Sequence, residues 1–280
     1  MSKLIYLLFT KTLGLYLNIL SFLFPKKALT LTYALFTQPR EGKLKKEKLP
    51  KILAESIQET HICGELFFQS YRWEGNATTI LLVHGWESNT SRWELLLPYL
   101  KKSGSTIIAL DAPAHGLSGG THFSIPLYAD FIHVVVQKFQ PQYAVGHSLG
   151  GKTCLYYQHA FPQNPIEKMV ILGAPSELKI ILRNFFNLLS LNQKLALALE
   201  NFYSQTYKVK LEDFSGHKFI ANSNIKGFVA HDLNDPRVAF EEGLKIAAAW
   251  QNAVFYPTKD LGHSLHDDEL YQVVCAFLFD

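Results

Sequence analysis

The stretch around Ser148 has the residue types of a nucleophilic serine. Gly146, Ser148 and Gly150 form a G-x-S-x-G pattern directly after a short apolar run. This pattern is typical of a tight turn from a strand into a helix, where the residues two before and two after the serine have no room for a side chain. The serine is held in a strained conformation above the sheet edge, and the N–H of Leu149 points to where an oxyanion would form. The chemistry indicated is nucleophilic attack on a carbonyl group.

The elements that position this serine follow from the periodicity of the chain. From about residue 62, short apolar and β-branched segments alternate with stretches of helical spacing, which predicts a mostly parallel sheet with helices on both faces. Strands are expected at residues 66–73, 79–83, 106–110, 143–145, 168–172, 228–231 and 253–256. Helices are expected at residues 93–102, 125–139, 153–161, 240–250 and 268–279.

About fifty residues separate the predicted strands at 168–172 and 228–231. Residues 178–189 and 195–202 within this interval have the apolar spacing of helices, and the interval is too long for a loop. We therefore predict a helical cap at about 176–225, inserted after the strand at 168–172. The predicted domains are an N-terminal helical segment with a linker at 1–51 and an α/β domain at 52–280.

Residues 2–24 are mostly apolar and predict an N-terminal helix with one narrow polar stripe, formed by Lys3, Thr10, Gly14, Asn18 and Ser21. Lys11 interrupts the apolar run and Pro25 is followed by two lysines, which argues against a cleaved secretory signal. No uninterrupted apolar run reaches the roughly 20 residues of a bilayer span. Two interpretations stay open: a helix packed on the protein or a partner chain, or a helix lying in a membrane interface.

The charge of the chain is unevenly distributed. Residues 1–51 contain ten Lys/Arg and two acids, a net charge of +8, whereas residues 52–280 have a net charge of −5. Basic residues beside an apolar segment favour a membrane surface over nucleic acid as partner.

Three widely spaced cysteines, an odd number without a C-x-x-C pattern, favour a reducing cytosol. We expect a cytoplasmic protein, peripheral at the inner face of a membrane if its N-terminal helix binds lipid.

Polar residues collect at the predicted carboxyl ends of the strands, which is where open α/β sheets place their sites. The blocks in question are His84-Gly85-Trp86, Asp111-Ala112-Pro113-Ala114-His115-Gly116-Leu117-Ser118, Gly146-His147-Ser148-Leu149-Gly150-Gly151, His231-Asp232-Leu233-Asn234-Asp235 and Gly262-His263. On these blocks, the chain from about residue 62 to its end resembles the α/β-hydrolase superfamily. The order nucleophile, acid, histidine matches that family.

The resemblance implies a catalytic triad. Ser148 would be the nucleophile and His263 the general base that takes its proton. His263 is favoured because it follows Gly262 beyond the last predicted strand, as in the family, and His266 is its rival. Asp235 would hold the histidine, with Asp232 as the alternative acid because both follow the same strand.

The resemblance also implies an oxyanion hole formed by the backbone N–H groups of Trp86 and Leu149. His84, Gly85 and His147 would then border the substrate pocket. We expect no cofactor and no metal, since neither His231-Asp232 nor His266-Asp267-Asp268 has a recognised ligand spacing.

The function predicted from the sequence is a serine hydrolase that cleaves carboxylic esters through an acyl-enzyme on Ser148. The substrate would be a small-molecule ester or thioester with an apolar group, because residues 176–225 are rich in Leu, Ile and Phe. Two alternatives stay open. One is a thioesterase, acyltransferase or lipase at the membrane surface, and the other is a non-catalytic α/β-hydrolase-like binding protein.

Overall fold

Within residues 3–280, which the computed structural model describes, eight strands form one sheet of order β1-β2-β4-β3-β5-β6-β7-β8. The strands are β1 Ile57–Cys63, β2 Leu66–Trp73, β3 Asn76–Val83, β4 Ser105–Leu110, β5 Tyr143–His147, β6 Lys168–Leu172, β7 Lys226–Asp232 and β8 Ala253–Thr258. The pairings of β1 with β2 and of β2 with β4 are antiparallel, and those from β4 through β3 to β8 are parallel. The predicted mostly parallel sheet is therefore confirmed. Strand β1 was not predicted, because its residues are largely polar and exposed.

The helices of the described chain are α1 Lys3–Leu23, α2 Pro25–Thr37, α3 Lys51–Ala54, α4 Leu97–Lys101, α5 Ile125–Phe139, α6 Leu149–Ala160, α7 Leu178–Leu189, α8 Gln193–Tyr207, α9 Gly216–Ile220, α10 Phe240–Ala249 and α11 Asp268–Phe279. The helix predicted at 93–102 is wrong in its extent. A 3₁₀ turn at Thr90–Glu94 precedes the short α4. Pro98 lacks the N–H that a continuous helix would direct to Glu94, so the proline lies in the first turn of α4 instead.

The chain divides into two compact units. The sheet unit comprises Pro39–Ser176 and Gly216–Asp280. The helical unit comprises the described part of Met1–Gln38 together with Glu177–Ser215, and so contains α1, α2, α7 and α8. Helices α7 and α8 belong to the insertion that the sequence predicted after the sixth strand.

The middle of the sheet is buried on both faces. Leu81, Leu82 and Val83 of β3 are fully buried, as is Val145 of β5. Such continuous apolar runs are expected for parallel strands covered by helices on both sides. The polar side chains that follow these strands are therefore held at the edge of a rigid scaffold.

The helical unit shows what α1 packs on, which the sequence left open. Leu17 and Leu20 of α1 pack with Ala28 of α2, Leu189 of α7 and Leu195 of α8. By length and composition, α1 could also cross a bilayer, since Leu4–Leu23 is 20 residues long with a mean hydropathy of 1.4. The length argument against a span, made from the sequence, does not hold for this helix.

Candidate active site

The turn around Ser148 is as tight as its glycines predict. Strand β5 ends at His147, α6 begins at Leu149, and Ser148 alone makes the turn with φ +53° and ψ −126°. This backbone conformation is strained for a residue with a side chain. A Cβ on Gly146 would lie 2.6 Å from the Cα of Gly151, so the turn excludes any larger residue there.

His263 lies between the other two predicted triad residues. Its Nε2 is 3.0 Å from the hydroxyl oxygen of Ser148, and its Nδ1 is 2.7 Å from a carboxylate oxygen of Asp235. The Asp235 side chain is fully buried, while 14% of the His263 side chain is exposed. The rival histidine, His266, is hydrogen-bonded to the hydroxyl of Tyr271 instead.

Asp235 is held as a carboxylate by the loop that follows β7. Its Oδ1 accepts hydrogen bonds from the backbone N–H groups of Arg237 and Val238, at 2.8 and 3.0 Å. Burial by itself would raise the pKa of Asp235, but the hydrogen bonds from His263 and from these two amides lower it below its ordinary value. The carboxylate therefore stays ionised beside His263 at neutral pH.

Asp232, the alternative acid, fixes the loop after β8. Its Oδ2 accepts hydrogen bonds from the hydroxyl of Thr258 and from the N–H of Leu261, both at 2.9 Å. Its Oδ1 accepts a third from the N–H of Asn234 at 3.0 Å. Leu261 lies two residues before His263 in this loop. The bonds of Asp232 therefore fix the backbone that carries the histidine.

The predicted oxyanion loop lies directly against the serine. A Cβ on Gly85 would be 2.8 Å from the Cβ of Ser148 and 3.3 Å from its hydroxyl oxygen, so the backbone before Trp86 approaches closely because Gly85 has no side chain. Leu149 is the first residue of α6, and the N–H groups of a first helical turn have no acceptor inside the helix. Both predicted donors thus belong to segments that border Ser148.

Two buried histidines hold this loop. The ring of His84 donates to the carbonyl of Gly85 at 2.8 Å and accepts from the N–H of Ala112 at 3.0 Å. The ring of His115 donates to the carbonyl of Pro113 and accepts from the N–H of Glu87, two residues past Gly85. Burial lowers the pKa of His84 to about 4. Burial, together with the neighbouring His84, lowers that of His115 to about 3. Both rings are therefore neutral.

His147, predicted to border the pocket, also contacts the proposed base. Its Nε2–H donates to the backbone carbonyl of His263 at 2.8 Å, and the two rings lie 4.9 Å apart. Burial, followed by the charges of Arg92 and His263, holds the pKa of His147 well below its ordinary value. A neutral ring donates this hydrogen bond without placing a positive charge beside the ring of His263.

Sequence reasoning noted His231, near the end of β7, but missed its role beside Asp235. It is fully buried, and its Nε2–H donates to the carbonyl of Val238 at 3.0 Å. The same nitrogen lies 3.6 Å from the Oδ2 of Asp235. The only sequence signal for this role was the position of His231 at a strand end, since no pattern reveals which carbonyl a buried ring will face.

The family model for the alpha/beta hydrolase fold matches residues 78–234, more than half of the chain. The chain belongs to the α/β-hydrolase family. The matched range of this α/β-hydrolase includes the oxyanion loop, the elbow and Asp232, while Asp235 and His263 lie beyond it.

Two curated relatives are esterases by name. A bifunctional esterase/perhydrolase of Acinetobacter calcoaceticus is 31% identical over 109 residues, which are 38% of this chain and 40% of that protein. An esterase of Mycobacterium tuberculosis is 26% identical over 142 residues, which are 46% of this chain and 47% of that protein. The chain therefore spans less than half the length of the curated relatives it matches.

Solved structures share the architecture of this α/β-hydrolase. The Est1E protein of Butyrivibrio proteoclasticus, solved with ferulic acid, superposes with a TM-score of 0.67 at 16% identity, covering 79% of this chain and 97% of that one. A bromoperoxidase of Bacillus anthracis superposes with a TM-score of 0.62 at 19% identity, covering 80% and 100%. At such identities the likeness shows the fold alone.

The elbow glycines give a first prediction. A Cβ on Gly150 would lie 2.3 Å from the carbonyl oxygens of both Val83 and His84, so Gly150→Ala should lower the free energy of unfolding by more than about 2 kcal/mol. The measurement is urea unfolding at equilibrium. Gly64→Ala is the control, because Gly64 has positive φ but open space around it, and should cost only about 1 kcal/mol. Equal losses in the two variants would contradict the close packing of the elbow.

The neutral His115 ring predicts a pH effect. A histidine with a lowered pKa in the folded state stabilises the protein fully above its unfolded pKa of about 6.5, and this stability is lost as pH falls towards about 3. The deficit in unfolding free energy of His115→Gln should therefore shrink between pH 7.5 and pH 5, by up to about 1.4 kcal/mol per pH unit below 6.5. Urea unfolding across this range measures it, and a deficit that stays constant with pH would disprove it.

Proposed function

We propose that this chain is a serine hydrolase that cleaves carboxylic esters through an acyl-enzyme on Ser148. The observation that carries the proposal is the continuous hydrogen-bonded line from Ser148 through His263 to Asp235, at 3.0 and 2.7 Å. A serine hydroxyl is a weak nucleophile near neutral pH, and an imidazole in this position supplies the base it needs. The strained turn presents the hydroxyl, and the neighbouring amides supply charge stabilisation.

Acylation follows from this geometry. The Ser148 oxygen attacks the ester carbonyl while Nε2 of His263 takes the hydroxyl proton. Asp235 accepts a hydrogen bond from Nδ1–H of His263, which holds the tautomer and stabilises the imidazolium. The N–H groups of Trp86 and Leu149 would donate to the oxyanion, each contributing about 10²–10³-fold to turnover. The imidazolium then gives its proton to the departing alcohol.

Deacylation uses the same groups in reverse order. His263 takes a proton from water, the resulting nucleophile attacks the acyl carbon, and the proton returns to Ser148 as the acid leaves. The esterase names of the two curated relatives support an ester as the substrate. That the acyl or alcohol group is apolar stays a prediction from the Leu-, Ile- and Phe-rich composition of residues 176–225.

The nucleophile and the base can be tested together. Ser148→Ala should abolish labelling by a fluorophosphonate probe, and both Ser148→Ala and His263→Ala should lower kcat for p-nitrophenyl butyrate by roughly 10⁴-fold or more. His266→Ala is the matched control and should retain turnover, because its ring bonds to Tyr271 rather than to Ser148. Labelling that survives Ser148→Ala would exclude this serine as nucleophile. A wild-type chain that is never labelled would favour a binding protein without catalysis.

The two aspartates are separated by a second pair of variants. Asp235→Asn leaves an amide where His263 needs an acceptor, so kcat should fall roughly 10⁴-fold in a folded protein. Asp232→Asn breaks bonds to Thr258 and Leu261, so it should lower the free energy of unfolding by about 1–3 kcal/mol. Its kcat should stay within about tenfold of wild type, because it does not bond to the imidazole. Steady-state kinetics with urea unfolding measures both, and the reverse pattern would assign the acid to Asp232.

A further inference from the structure

Helix α1 is packed with its polar side towards the protein. The Nζ of Lys11 donates to the carbonyl of Asn187 and to the hydroxyl of Ser190, at 2.8 and 2.7 Å. The side chain of Asn18 donates to the carbonyl of Ser190 and accepts from the N–H of Asn192, both at 2.8 Å. These bonds lie at the C-terminal end of α7 and at the turn into α8. There the last carbonyls have no i+4 N–H partner within the helix, and a positive charge is favourable.

The other described stripe positions, Thr10, Gly14 and Ser21, lie on the same inward side. Thr10 and Ser21 are buried, and the hydroxyl of Ser21 accepts from the side chain of Asn192. A Cβ on Gly14 would lie 1.6 Å from the carbonyl oxygen of Leu189, so α1 and α7 approach closest at this glycine. The side chain of Lys3 lies outside the described part of the chain.

The outward side of α1 is apolar. Among the side chains that the structure describes, twelve of the 22 exposed large apolar ones lie between Leu4 and Phe24. Residues Leu4–Phe9, almost two complete helical turns, are exposed on every side and carry only Leu, Ile, Tyr and Phe. This is the reverse of a helix at a water-exposed surface, which buries its apolar face and presents its polar one.

We propose that α1 binds the surface of an anionic lipid bilayer. In this arrangement its outward apolar side chains enter the acyl region, and Lys26 and Lys27 contact the lipid phosphates. The inference concerns where the protein acts. It is independent of the chemistry proposed for Ser148.

Charge favours anionic lipid as the occupant. Residues 1–38 contain four lysines and no acidic residue. Lys26 and Lys27 are exposed and directly follow the apolar run that ends at Phe24. The ammonium of Lys194 lies 5.0 Å from the ring centre of Phe22, which adds a third positive charge at this end of α1. Basic residues that border an apolar insertion are the pattern of an interfacial helix, and each contributes through the negative surface potential.

Geometry favours lipid over a second copy of the chain. A partner helix would cover one side of Leu4–Phe9, whereas these residues are exposed around the whole circumference of the helix. A lipid phase surrounds a protruding helix end completely. The polar contacts of Lys11 and Asn18 also keep one side of α1 on α7, so the helix lies along the bilayer surface instead of crossing it.

The test is co-sedimentation of the full chain with vesicles. Wild type should sediment with vesicles of phosphatidylcholine mixed with phosphatidylglycerol, less with phosphatidylcholine alone, and less in about 0.5 M salt. The variant Leu8→Glu with Leu15→Glu and Ile19→Glu should bind at least about tenfold more weakly. Lys26→Ala with Lys27→Ala should lose about tenfold on the anionic vesicles only.

The control variant places the same three charges on exposed apolar positions of the sheet unit, as Ile62→Glu, Leu95→Glu and Val254→Glu. It should bind vesicles like wild type. Equal binding by the Leu8/Leu15/Ile19 variant, or no binding by wild type to any vesicle, would overturn the proposal. A wild-type dimer in sedimentation equilibrium that this variant turns into a monomer, with no vesicle binding, would assign the surface to a second copy.

A cross-link separates a helix that lies on the bilayer from one that spans it. Asn18→Cys and Ser190→Cys, in a chain with Cys63→Ser and Cys275→Ser, should react with a short bis-maleimide, because the Asn18 side chain contacts the Ser190 backbone. The cross-linked protein should still bind vesicles, as α1 stays attached to α7. Loss of binding on cross-linking would indicate a span, and a pair that fails to cross-link would contradict the packing on which the proposal rests.

Discussion

The contact between the serine turn and the end of β3 is the constraint on which the rest of the site depends. Gly150 has no room for a Cβ beneath the carbonyls of Val83 and His84, and Gly85 lies against the side chain of Ser148. Strands β3 and β5 are hydrogen-bonded neighbours, with Val83 paired to Gly146. The segment bearing the proposed nucleophile and the segment bearing the proposed oxyanion donor are therefore fixed by one backbone contact. A shift of either segment would change the distance between the Ser148 hydroxyl and the backbone N–H of Trp86.

Much of this site could be predicted because its residues follow strands. The sequence shows a serine between two glycines, acids after one strand and a histidine after the last. Parallel strands end at one sheet edge, so these residues are expected to meet there. The choice between Asp232 and Asp235 could not be made from residue type, because both follow β7. The structure distinguishes them by a carboxylate orientation, with Asp235 facing His263 and Asp232 facing Thr258. The roles of His147 and His231 depend on single backbone carbonyls, which no periodicity encodes.

The orientation of α1 could not be predicted from the sequence, for a different reason. The described members of the predicted polar stripe, Thr10, Gly14, Asn18 and Ser21, face the protein. A stripe of this kind is ordinarily the side that faces water. Here its acceptors are carbonyls at the end of α7, about 170 residues further along the chain, as the contact of Asn18 with Ser190 shows. A local pattern describes one helix at a time. It cannot reveal which backbone carbonyls at the end of another helix will accept hydrogen bonds from it.

The dependence of α7 on α1 affects how the protein can be handled. An apolar N-terminal helix is an obvious segment to remove when a protein is prepared for study in solution. In this chain its removal would leave the carbonyls of Asn187 and Ser190 without Lys11 and Asn18, and would uncover Leu189. The shortened chain would lack the apolar outward side of α1, and the packing of α7 in its insertion would also change. Any change in the behaviour of the shortened chain would therefore reflect the altered insertion as well as the absent helix.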